Sequence, residues 1–421
     1  MNLYIFEDEV YKNFLPLTHF RTVCELRCGC MTLKEKIESA LKITRPILLS
    51  RQYLSNYLRE VFPKNKINET FSDTPLLVNG RILPTKDFVK NLLVKKGKER
   101  VLISGNTVVA AVLSPKTWAS VSQKCIGNLF SIKCFDGIPS FEVDAELVSY
   151  PWDLIRINGD QIRKDFILMS ASIKRKIAGK IHKGVSLIKK KDIIIGSGSE
   201  IFPGVVINAT HGPVVIGKDV TVMSNAVING PVFIGDHSLV KVGAKIYPNT
   251  SIGEMCKVGG EIDGTIIQSY SNKQHDGYLG HAYIGSWVNI GADTNNSDLK
   301  NNYSNVKVMH NGKLIDTGMV HFGMLIGDHT KTGINMMFDT GTIIGAACNL
   351  YGAGLPPRYI PSFVRGSVDN PYKTHSVEMA LETAKIAMSR RNVSSSQSFI
   401  QLFKKVFELT QTEREAGKII L

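Results

Sequence analysis

The residues best suited to chemistry lie together in one short stretch of the second half of the chain. His275 follows Lys273 and precedes Tyr278, in a polar segment that leads into an aliphatic, glycine-containing pattern. A histidine side chain ordinarily titrates near neutral pH, so it can act as a general base toward an amine or a hydroxyl group. A single exposed histidine is more often simply solvated, so the meaning of His275 depends on the elements that position it.

An aliphatic residue recurs every six positions in this half of the chain. The uninterrupted run is Ile216, Val222, Ile228, Ile234, Val240, Ile246, Ile252 and Val258. One apolar residue in six is too sparse for an amphipathic helix or a half-buried strand, whereas a hexapeptide period is typical of a parallel β-helix. β-branched side chains suit its stacked walls. We therefore expect a triangular coil in which three hexapeptides close one turn.

The chain divides into regions of different pattern. We predict an α/β domain at 1–165, a helical linker at 166–192, a β-helix at 193–368 and a helical cap at 369–421. The α/β domain is expected to contain a mostly parallel, Rossmann-like sheet, because strand-like and helix-like stretches alternate. Ligands bind at the carboxyl ends of such strands, so the turns after Phe6 and at Asn79 become candidate site elements. Two irregular insertions, near 260–280 and 293–322, are predicted to interrupt the coil.

Composition narrows the classes of partner. The 421 residues carry a formal net charge of +14, which favours anionic partners such as phosphorylated small molecules. The lysine clusters at 95–98 and 189–191 have no interleaved aromatic residues, which argues against nucleic acid. No apolar run reaches the length of a membrane span, about 20 residues, and the N-terminus lacks the features of a signal peptide. We therefore expect no membrane partner and a cytoplasmic location.

The seven cysteines are odd in number, which argues against a disulfide framework. Cys24, Cys28 and Cys30 cluster, but their spacing does not match the usual zinc sites. We expect reduced thiols in a loop, with a metal or redox site as the alternative.

The stretch around His275 is similar to the acetyltransferase domain of the bifunctional N-acetylglucosamine-1-phosphate uridyltransferase/glucosamine-1-phosphate acetyltransferases. The residues that match, with identical spacing, are His275, Tyr278-Leu279-Gly280, Ala282, Ile284-Gly285 and Val288-Asn289-Ile290-Gly291-Ala292. The resemblance implies a left-handed β-helix that forms homotrimers, with the acyl site between neighbouring rods. It also implies that His275 is the general base.

The same resemblance assigns the binding residues of the solenoid site. Tyr278 and Asn289 are implied to contact the amino sugar, with Lys273 beside them, and Ala292 to lie near acetyl-coenzyme A. The Asn-Tyr pair that the family carries downstream is expected at Asn302 and Tyr303, after an insertion.

The N-terminus resembles the divergent sugar nucleotidyltransferase branch of these proteins. The matching residues are Phe6-Glu7-Asp8, Leu15-Pro16-Leu17-Thr18, Arg21, Glu25-Leu26-Arg27, Gly29, Thr32, Glu35-Lys36, Asn79-Gly80-Arg81, Leu83-Pro84 and Pro151-Trp152-Asp153-Leu154. The resemblance implies Mg²⁺-assisted nucleotidyl transfer to a sugar 1-phosphate. It implies nucleotide or phosphate binding by a set of four residues and metal binding by Asn158. The four are Arg21, Arg27, Lys36 and Asn79.

The N-terminal resemblance has two departures. The glycine-rich loop that ordinarily cradles phosphates is absent after the first strand, and Arg81 stands where the family has a metal-binding aspartate. A nucleotide-sensing or purely structural domain is therefore the alternative to an active nucleotidyltransferase.

Together the two resemblances predict a bifunctional enzyme of amino-sugar nucleotide biosynthesis. It would acetylate glucosamine 1-phosphate from acetyl-coenzyme A and transfer a nucleotidyl group from UTP. One alternative is a related enzyme that takes another nucleotide or sugar. Another is a hexapeptide-repeat metalloenzyme such as a γ-type carbonic anhydrase, which needs three histidines where His275 and His281 offer one pair. The last is a non-catalytic scaffold.

Overall fold

The computed structural model of the chain describes residues 2–71, 74–93, 99–125, 127, 129–173 and 176–416. The lysine cluster at 95–98 lies outside these residues. The described chain forms an α/β domain, a β-solenoid and a set of C-terminal helices. None of the helices in these ranges has the length and apolar character that crossing a lipid bilayer requires.

The α/β domain is built on one six-stranded sheet and a small hairpin. Its strands are β1 Asn2–Phe6, β2 Arg27–Cys28, β3 Met31–Thr32, β4 Ile47–Leu49, β5 Pro75–Asn79, β6 Arg100–Ser104, β7 Thr107–Val112 and β8 Ser140–Glu142. β2 and β3 form the hairpin, and the sheet order is β4-β1-β5-β7-β6-β8. β1 is parallel to β4 and β5, whereas β7 is antiparallel to both of its neighbours. Because β6 is also parallel to β8, five of the six strands run in the same direction and only β7 of this sheet runs opposite, as expected for a mostly parallel sheet.

Five α-helices belong to or follow this sheet. They are α1 Leu33–Leu41, α2 Ser55–Val61, α3 Lys86–Leu93, α4 Pro115–Cys125 and α5 Pro151–Ser172. Short 3-10 helices lie at Glu9–Phe14, Val23–Glu25, Gln52–Leu54, Ile132–Phe135 and Lys190–Asp192. The capping box expected at α1 is present, since Thr32 Oγ1 accepts from the backbone N–H of Glu35 and the Glu35 carboxylate accepts from that of Thr32.

The solenoid has three faces of short, mostly parallel strands. The first face carries Ile193–Ile195, Val214–Ile216, Val232–Ile234, Thr250–Ile252, Ile266–Ile267, Tyr283–Ile284, Met324–Ile326, Thr342–Ile344 and Tyr359–Ile360. The second carries Ser186–Ile188, Val206–Asn208, Val227–Asn229, Lys245–Ile246, Glu261–Asp263 and Tyr278–Gly280, and then the pair Asn295–Asn296 and Met337–Phe338. The third carries Lys180–Ile181, Glu200–Ile201, Thr221–Val222, Leu239–Val240, Lys257–Val258 and Asn272–Lys273, and then Lys331–Thr332, Asn349–Leu350, Val364–Gly366 and Lys373–Thr374.

The hexapeptide prediction is confirmed by the core of this coil. The eight residues of the uninterrupted run, from Ile216 to Val258, are all fully buried at 0% exposure. They belong to a single cluster of inward-facing aliphatic side chains, and burying such a side chain contributes roughly 1.5–3 kcal/mol.

The boundaries of the solenoid differ from the sequence-based expectation. Its first strands, Lys180–Ile181 and Ser186–Ile188, precede residue 193, so the helical linker is shorter than expected. Helix α5 continues through residue 165 to Ser172 and packs along the coil. The contact is close, because a Cβ at Gly159 would lie 1.9 Å from Asn249 Oδ1.

Of the two insertions predicted from the sequence, only the second interrupts the coil in the structure. Residues 260–280 do not leave the coil, since Glu261–Asp263, Ile266–Ile267 and Tyr278–Gly280 all pair with strands of neighbouring turns. Two sides of these turns are shorter than six residues, since Ile262 follows Val258 by four residues and Ile267 follows Ile262 by five, which hid the repeat. The second insertion does leave the coil after Asn295–Asn296, and it forms the hairpin Lys307–His310 with Lys313–Asp316.

The C-terminal helices are α6 Val377–Ser389, α7 Gln397–Leu409 and α8 Gln411–Ala416. Phe403 of α7 packs edge to face on Phe363 of the solenoid, with ring centroids 5.3 Å apart. The ring centroid of Phe399 of α7 lies 5.8 Å from that of Tyr57 of α2. The helices therefore join the solenoid to the α/β domain.

Candidate functional site

Lys273 occupies an inner-wall position of the coil. It follows Ile267 by six residues, pairs with Val258 in the preceding turn and is only 1% exposed. Its ammonium donates to the backbone carbonyl oxygens of His275, at 2.5 Å, and Asp276, at 2.8 Å. Burial lowers the pKa of Lys273 to about 8. A polar residue inside an apolar coil therefore anchors the turn that carries His275.

His275 itself projects from this corner with an exposed side chain. The turn sits closely against the following one, because a Cβ at Gly277 would lie 2.3 Å from the carbonyl oxygen of Thr294. Gly277 also has a φ of 106°, a conformation that favours glycine. The imidazole is thus presented to solvent on a fixed backbone.

Tyr278 begins a polar network that the fold assembles from distant segments. Its hydroxyl donates to Asp298 Oδ2 at 2.8 Å, and His281 Nδ1 lies 2.6 Å from the same oxygen. Burial and the neighbouring Asp298 carboxylate raise the pKa of the Tyr278 hydroxyl. His321 lies against His281, with ring centroids 5.1 Å apart. Sequence reasoning did not find Asp298 or His321, because only the fold shows that the insertion returns to this corner.

The remaining predicted residues of the solenoid site are distributed more widely. Ala292 is half-buried, and the adjacent Asp293 donates its backbone N–H to the carbonyl oxygen of Asp276, so this corner stacks on the His275 turn. Asn289 is half-buried on the neighbouring face, where its side-chain oxygen accepts from Asn272 Nδ2 at 3.3 Å. The structure therefore brings these two residues to the turns that surround His275.

Asn302 and Tyr303 lie in an exposed turn of the second insertion. Asn302 Oδ1 accepts from the backbone N–H and the hydroxyl of Ser304, and Tyr303 is 69% exposed. Neither has a hydrogen bond to Tyr278 within the described chain. Their assignment to the acceptor site remains a prediction, and Asp298 lies closer to Tyr278.

The carboxyl end of β1 carries two acidic residues that the domain neutralises internally. Arg81 is 2% exposed and donates from Nε and Nη2 to the carboxylate of Asp8. Arg51 Nε donates to Glu7 Oε2 at 3.1 Å. Asn79 is fully buried and donates to Asp8 Oδ2 at 2.9 Å. Ion pairs therefore occupy the strand end that was predicted as a candidate site element.

Each of the three cationic residues predicted to bind phosphates has an acidic partner. Arg21 Nη2 contacts Asp328 Oδ2 at 2.5 Å, Arg27 Nη2 contacts Glu254 Oε1 at 2.6 Å and Lys36 Nζ contacts Asp165 Oδ1 at 2.6 Å. The first two pairs join the α/β domain to the solenoid, and the third joins α1 to α5. A phosphate that approaches these side chains meets cations that are already paired, and the donors left for it include Arg21 Nη1.

Asn158 and the two acidic residues after β1 are not arranged to bind Mg²⁺ in this structure. Asn158 is fully buried, and its side-chain oxygen accepts from the backbone N–H of Gly29 and the hydroxyl of Ser251. The Glu7 and Asp8 carboxylates are held by arginines. Mg²⁺ requires oxygen ligands that can point at the ion, and the oxygens of these three side chains are engaged elsewhere.

A cavity of about 400 Å³ lies between the α/β domain, the solenoid and α7. Arg21 and Arg27 line it, together with the rings of Tyr270 and Trp287, which stack with centroids 4.3 Å apart. Arg21 Nη1 is buried and has no hydrogen-bond partner among the described residues. Aromatic rings beside guanidinium groups suit a base and its phosphates, so this cavity is a candidate nucleotide site lined by two of the predicted residues.

Comparisons with known proteins agree with this architecture. Residues 3–174 match a family model described as a sugar nucleotidyl transferase. Over 157 residues the chain is 34% identical to the bifunctional protein GlmU of Acaryochloris marina, covering 37% of this chain and 30% of that protein. Over 142 residues it is 35% identical to a bifunctional sugar-1-phosphate nucleotidylyltransferase/acetyltransferase of Sulfurisphaera tokodaii, covering 33% and 35%. The chain spans about a third of these curated relatives.

Solved structures were also compared. A UDP-N-acetylglucosamine acyltransferase is similar over 59% of this chain and 85% of its own, at 13% identity and a TM-score of 0.24. The polysialic-acid-specific acetyltransferase NeuO covers 47% and 85%, at 14% identity and a TM-score of 0.21. These likenesses are too low to carry an argument about function.

The fold and the sequence comparisons define an architecture, namely a nucleotidyltransferase-like domain followed by a β-solenoid. Residues 3–174 match the sugar nucleotidyl transferase model, and the chain is similar over part of its length to bifunctional nucleotidyltransferase/acetyltransferases. No disulfide is present among the described residues, where Cys24, Cys28 and Cys30 are buried free thiols.

Proposed function

We propose that the solenoid transfers an acetyl group from acetyl-coenzyme A to the 2-amino group of glucosamine 1-phosphate, with His275 as the general base. The observation that carries this proposal is the exposed His275 on a corner that Lys273 anchors from inside the coil. The corner opens the run from His275 to Ala292, whose spacing matches the acetyltransferase pattern.

The chemistry follows from the need for a free amine. The ammonium form has no lone pair, so it first loses one proton to solvent. His275 accepts a second proton from the nitrogen as the nitrogen forms a C–N bond with the thioester carbonyl carbon; the C–S bond breaks, and coenzyme A leaves as a thiolate that takes up this proton from His275. Donors near the carbonyl oxygen stabilise the oxyanion; Asn289 and backbone N–H groups are the candidates on this face.

The acceptor is held by groups beside His275. Tyr278 stands three residues on, at the start of the next strand of the coil. Ala292 shares a stacked corner with the His275 turn, which supports placing the acetyl donor at this corner. Because His275 faces solvent in the single chain, a neighbouring rod of a homotrimer would complete the site, and the mass of the particle in solution tests that expectation.

The test is thiol release with acetyl-coenzyme A and glucosamine 1-phosphate. His275→Ala is expected to lower turnover by roughly 10²–10⁴-fold, the usual contribution of a general base. His237→Ala is the matched control, because His237 is also an exposed solenoid histidine at a corner, beside Asp219. Unchanged turnover in His275→Ala would remove the assignment, and the mass of the product distinguishes this acceptor from another amino sugar.

Nucleotidyl transfer from UTP to a sugar 1-phosphate is the second activity we propose, supported by the family match over 3–174. The nucleotide would enter the cavity beside Arg21 and Arg27, with exchange of one interdomain ion pair. Pyrophosphate release is measured with UTP, or with TTP for a different base, in the presence of Mg²⁺. Binding without pyrophosphate release, measured by calorimetry, would instead favour a nucleotide-sensing domain.

A further inference from the structure

Three potential metal ligands converge at the corner of the solenoid beside Tyr278. His281, Asp298 and His321 each offer one ligand atom, and these atoms all lie within 4.8 Å of one another. His281 follows a strand of the second face, Asp298 stands where the insertion leaves the coil, and His321 stands where it returns. Leu299 and His321 form an antiparallel bridge that closes this excursion.

The surrounding structure orients these groups. His281 has a φ of 45°, and its ring passes so close to Gly264 that a Cβ there would lie 2.8 Å from His281 Cδ2. The Tyr278 hydroxyl donates to the Asp298 carboxylate. Outer hydrogen bonds of this kind fix the orientation of metal-ligating carboxylates and histidines.

The carboxylate of Asp298 is held in place by two neighbouring side chains. Its Oδ2 accepts from the Tyr278 hydroxyl at 2.8 Å and lies 2.6 Å from His281 Nδ1. Asp298 is 9% exposed, whereas His321 is exposed. An ion here would therefore be anchored on a buried ligand and reachable from solvent.

We propose that His281, Asp298 and His321 together bind one transition-metal ion of the Zn²⁺ type. Two imidazole nitrogens and one carboxylate oxygen are a donor set that suits Zn²⁺ and, with open positions, Fe²⁺. Ligand atoms of a tetrahedral Zn²⁺ with bonds of about 2.0–2.2 Å lie roughly 3.4 Å apart. The 4.8 Å limit on their present separations leaves an adjustment of about 1.4 Å at most, well within rotation of the exposed His321.

This site goes beyond the proposed acetyl transfer, which uses a histidine base and requires no metal. It also differs from a three-histidine arrangement, because one ligand is a carboxylate. With three protein ligands the ion keeps a coordination position for water or for an oxygen of a bound molecule, on the side of the molecule where Tyr278 is expected to hold the acceptor.

The experiment uses the full chain, stripped of metal with a chelator. Zn²⁺ binding is measured by calorimetry, and Co²⁺ binding by the visible absorption of the ion. We expect one ion per chain from this site. His321→Ala is expected to weaken binding by at least the roughly 10–100-fold that loss of an outer partner costs, and Asp298→Asn by at least as much.

The matched control is His237→Ala, which alters an exposed His–Asp pair, 3.6 Å apart, that has no third ligand among the described residues. This variant is expected to bind Zn²⁺ as the parent does. His321 is exposed, so His321→Ala is expected to fold, and circular dichroism with urea unfolding checks this for every variant.

Three results would overturn the proposal. The first is binding of less than about one ion per chain, and the second is an affinity for Zn²⁺ that His321→Ala leaves unchanged. The third is a thiolate-to-Co²⁺ charge-transfer band, which would locate the ion on cysteine. Acetyl transfer is assayed separately: loss of turnover in His275→Ala with Zn²⁺ binding intact keeps the two proposals distinguishable.

Discussion

Replacing Lys273 by methionine tests whether an ammonium inside the coil anchors the His275 turn. Burial lowers the pKa of Lys273 to about 8 in the folded chain, against about 10.4 in an unfolded chain. The folded state thus binds this proton less tightly than the unfolded state, so the charged lysine destabilises the fold below about pH 8. That penalty shrinks as the pH rises from 8 toward 10.4, because stability increases with pH wherever the unfolded state binds more protons.

The magnitude follows from the two pKa values. Each unit of difference corresponds to about 1.36 kcal/mol, and integration between about pH 7 and pH 9.5 gives roughly 2 kcal/mol. The free energy of unfolding of the parent should therefore rise by about 2 kcal/mol relative to that of Lys273→Met over this interval. Near pH 7 the variant is expected to match or exceed the parent, because removing a buried charge offsets the two lost hydrogen bonds.

The assay is urea unfolding of the parent, Lys273→Met and Lys245→Met at the two pH values. Lys245 is the control because it stands in a coil strand with an exposed side chain, and its replacement should leave the pH dependence unchanged. If the free energies of unfolding of the parent and of Lys273→Met differ by the same amount at both pH values, within about 0.5 kcal/mol, the argument that burial lowers the pKa of Lys273 is refuted.

The same variant links the core of the coil to the proposed chemistry. Without the two hydrogen bonds to the carbonyl oxygens of His275 and Asp276, the turn loses its internal anchor. Acetyl transfer is expected to fall by roughly 10- to 100-fold, since small misplacements of a catalytic group are costly. Full turnover in a folded Lys273→Met would show that the turn holds its shape without the lysine.

Three further results are expected. The first is a double-mutant cycle of Arg21→Met and Asp328→Asn, measured by urea unfolding. Each single change should lower the free energy of unfolding by about 3–5 kcal/mol, because it leaves a buried charge unpaired, and the double change should lower it by less than the sum. Additive effects would contradict an interaction between the two side chains. Cys28, whose pKa burial raises to about 12, should react with a thiol reagent only in the unfolded chain, so rapid modification of the native protein, mapped by mass spectrometry, would contradict its burial. Tyr278→Phe removes the hydroxyl that donates to Asp298; it should lower acetyl transfer with little loss of stability, and unchanged kinetics would separate Tyr278 from the acceptor site.

The solenoid was predictable because its constraint is local and repeated. Each inner position must be filled by a side chain of one shape, so the period can be recognised in the sequence wherever the turns keep six residues a side. It could not be recognised at 260–280, because some sides of the turns are shorter there. It was also hidden at Lys273, because a polar residue takes an inner position and hydrogen-bonds to the backbone of its own corner.

The candidate site was predictable only in part, for the same reason. His275, Tyr278 and Ala292 lie within one continuous stretch, so their spacing carried the assignment. Asp298 and His321 are separated from them by a polar insertion, and nothing in that segment's composition indicates that it folds back onto Tyr278.

The N-terminal residues show most clearly what could not be predicted from the sequence. The sequence could establish that Arg21 and Arg27 are cations in a segment that resembles a phosphate-binding one. It could not show that their carboxylate partners are Asp328 and Glu254, more than two hundred residues away.

The sequence by itself determined the coil, the α/β character of the first domain and the stretch that holds His275, because these depend on periodicity and on short spacings. Only the tertiary structure decided which charges are neutralised, which turns meet and where a cavity remains. Ion pairs and ligand clusters form between side chains that lie far apart in the sequence and that folding brings together. The energy of such contacts depends on how deeply the side chains are buried, which cannot be inferred from a local sequence pattern.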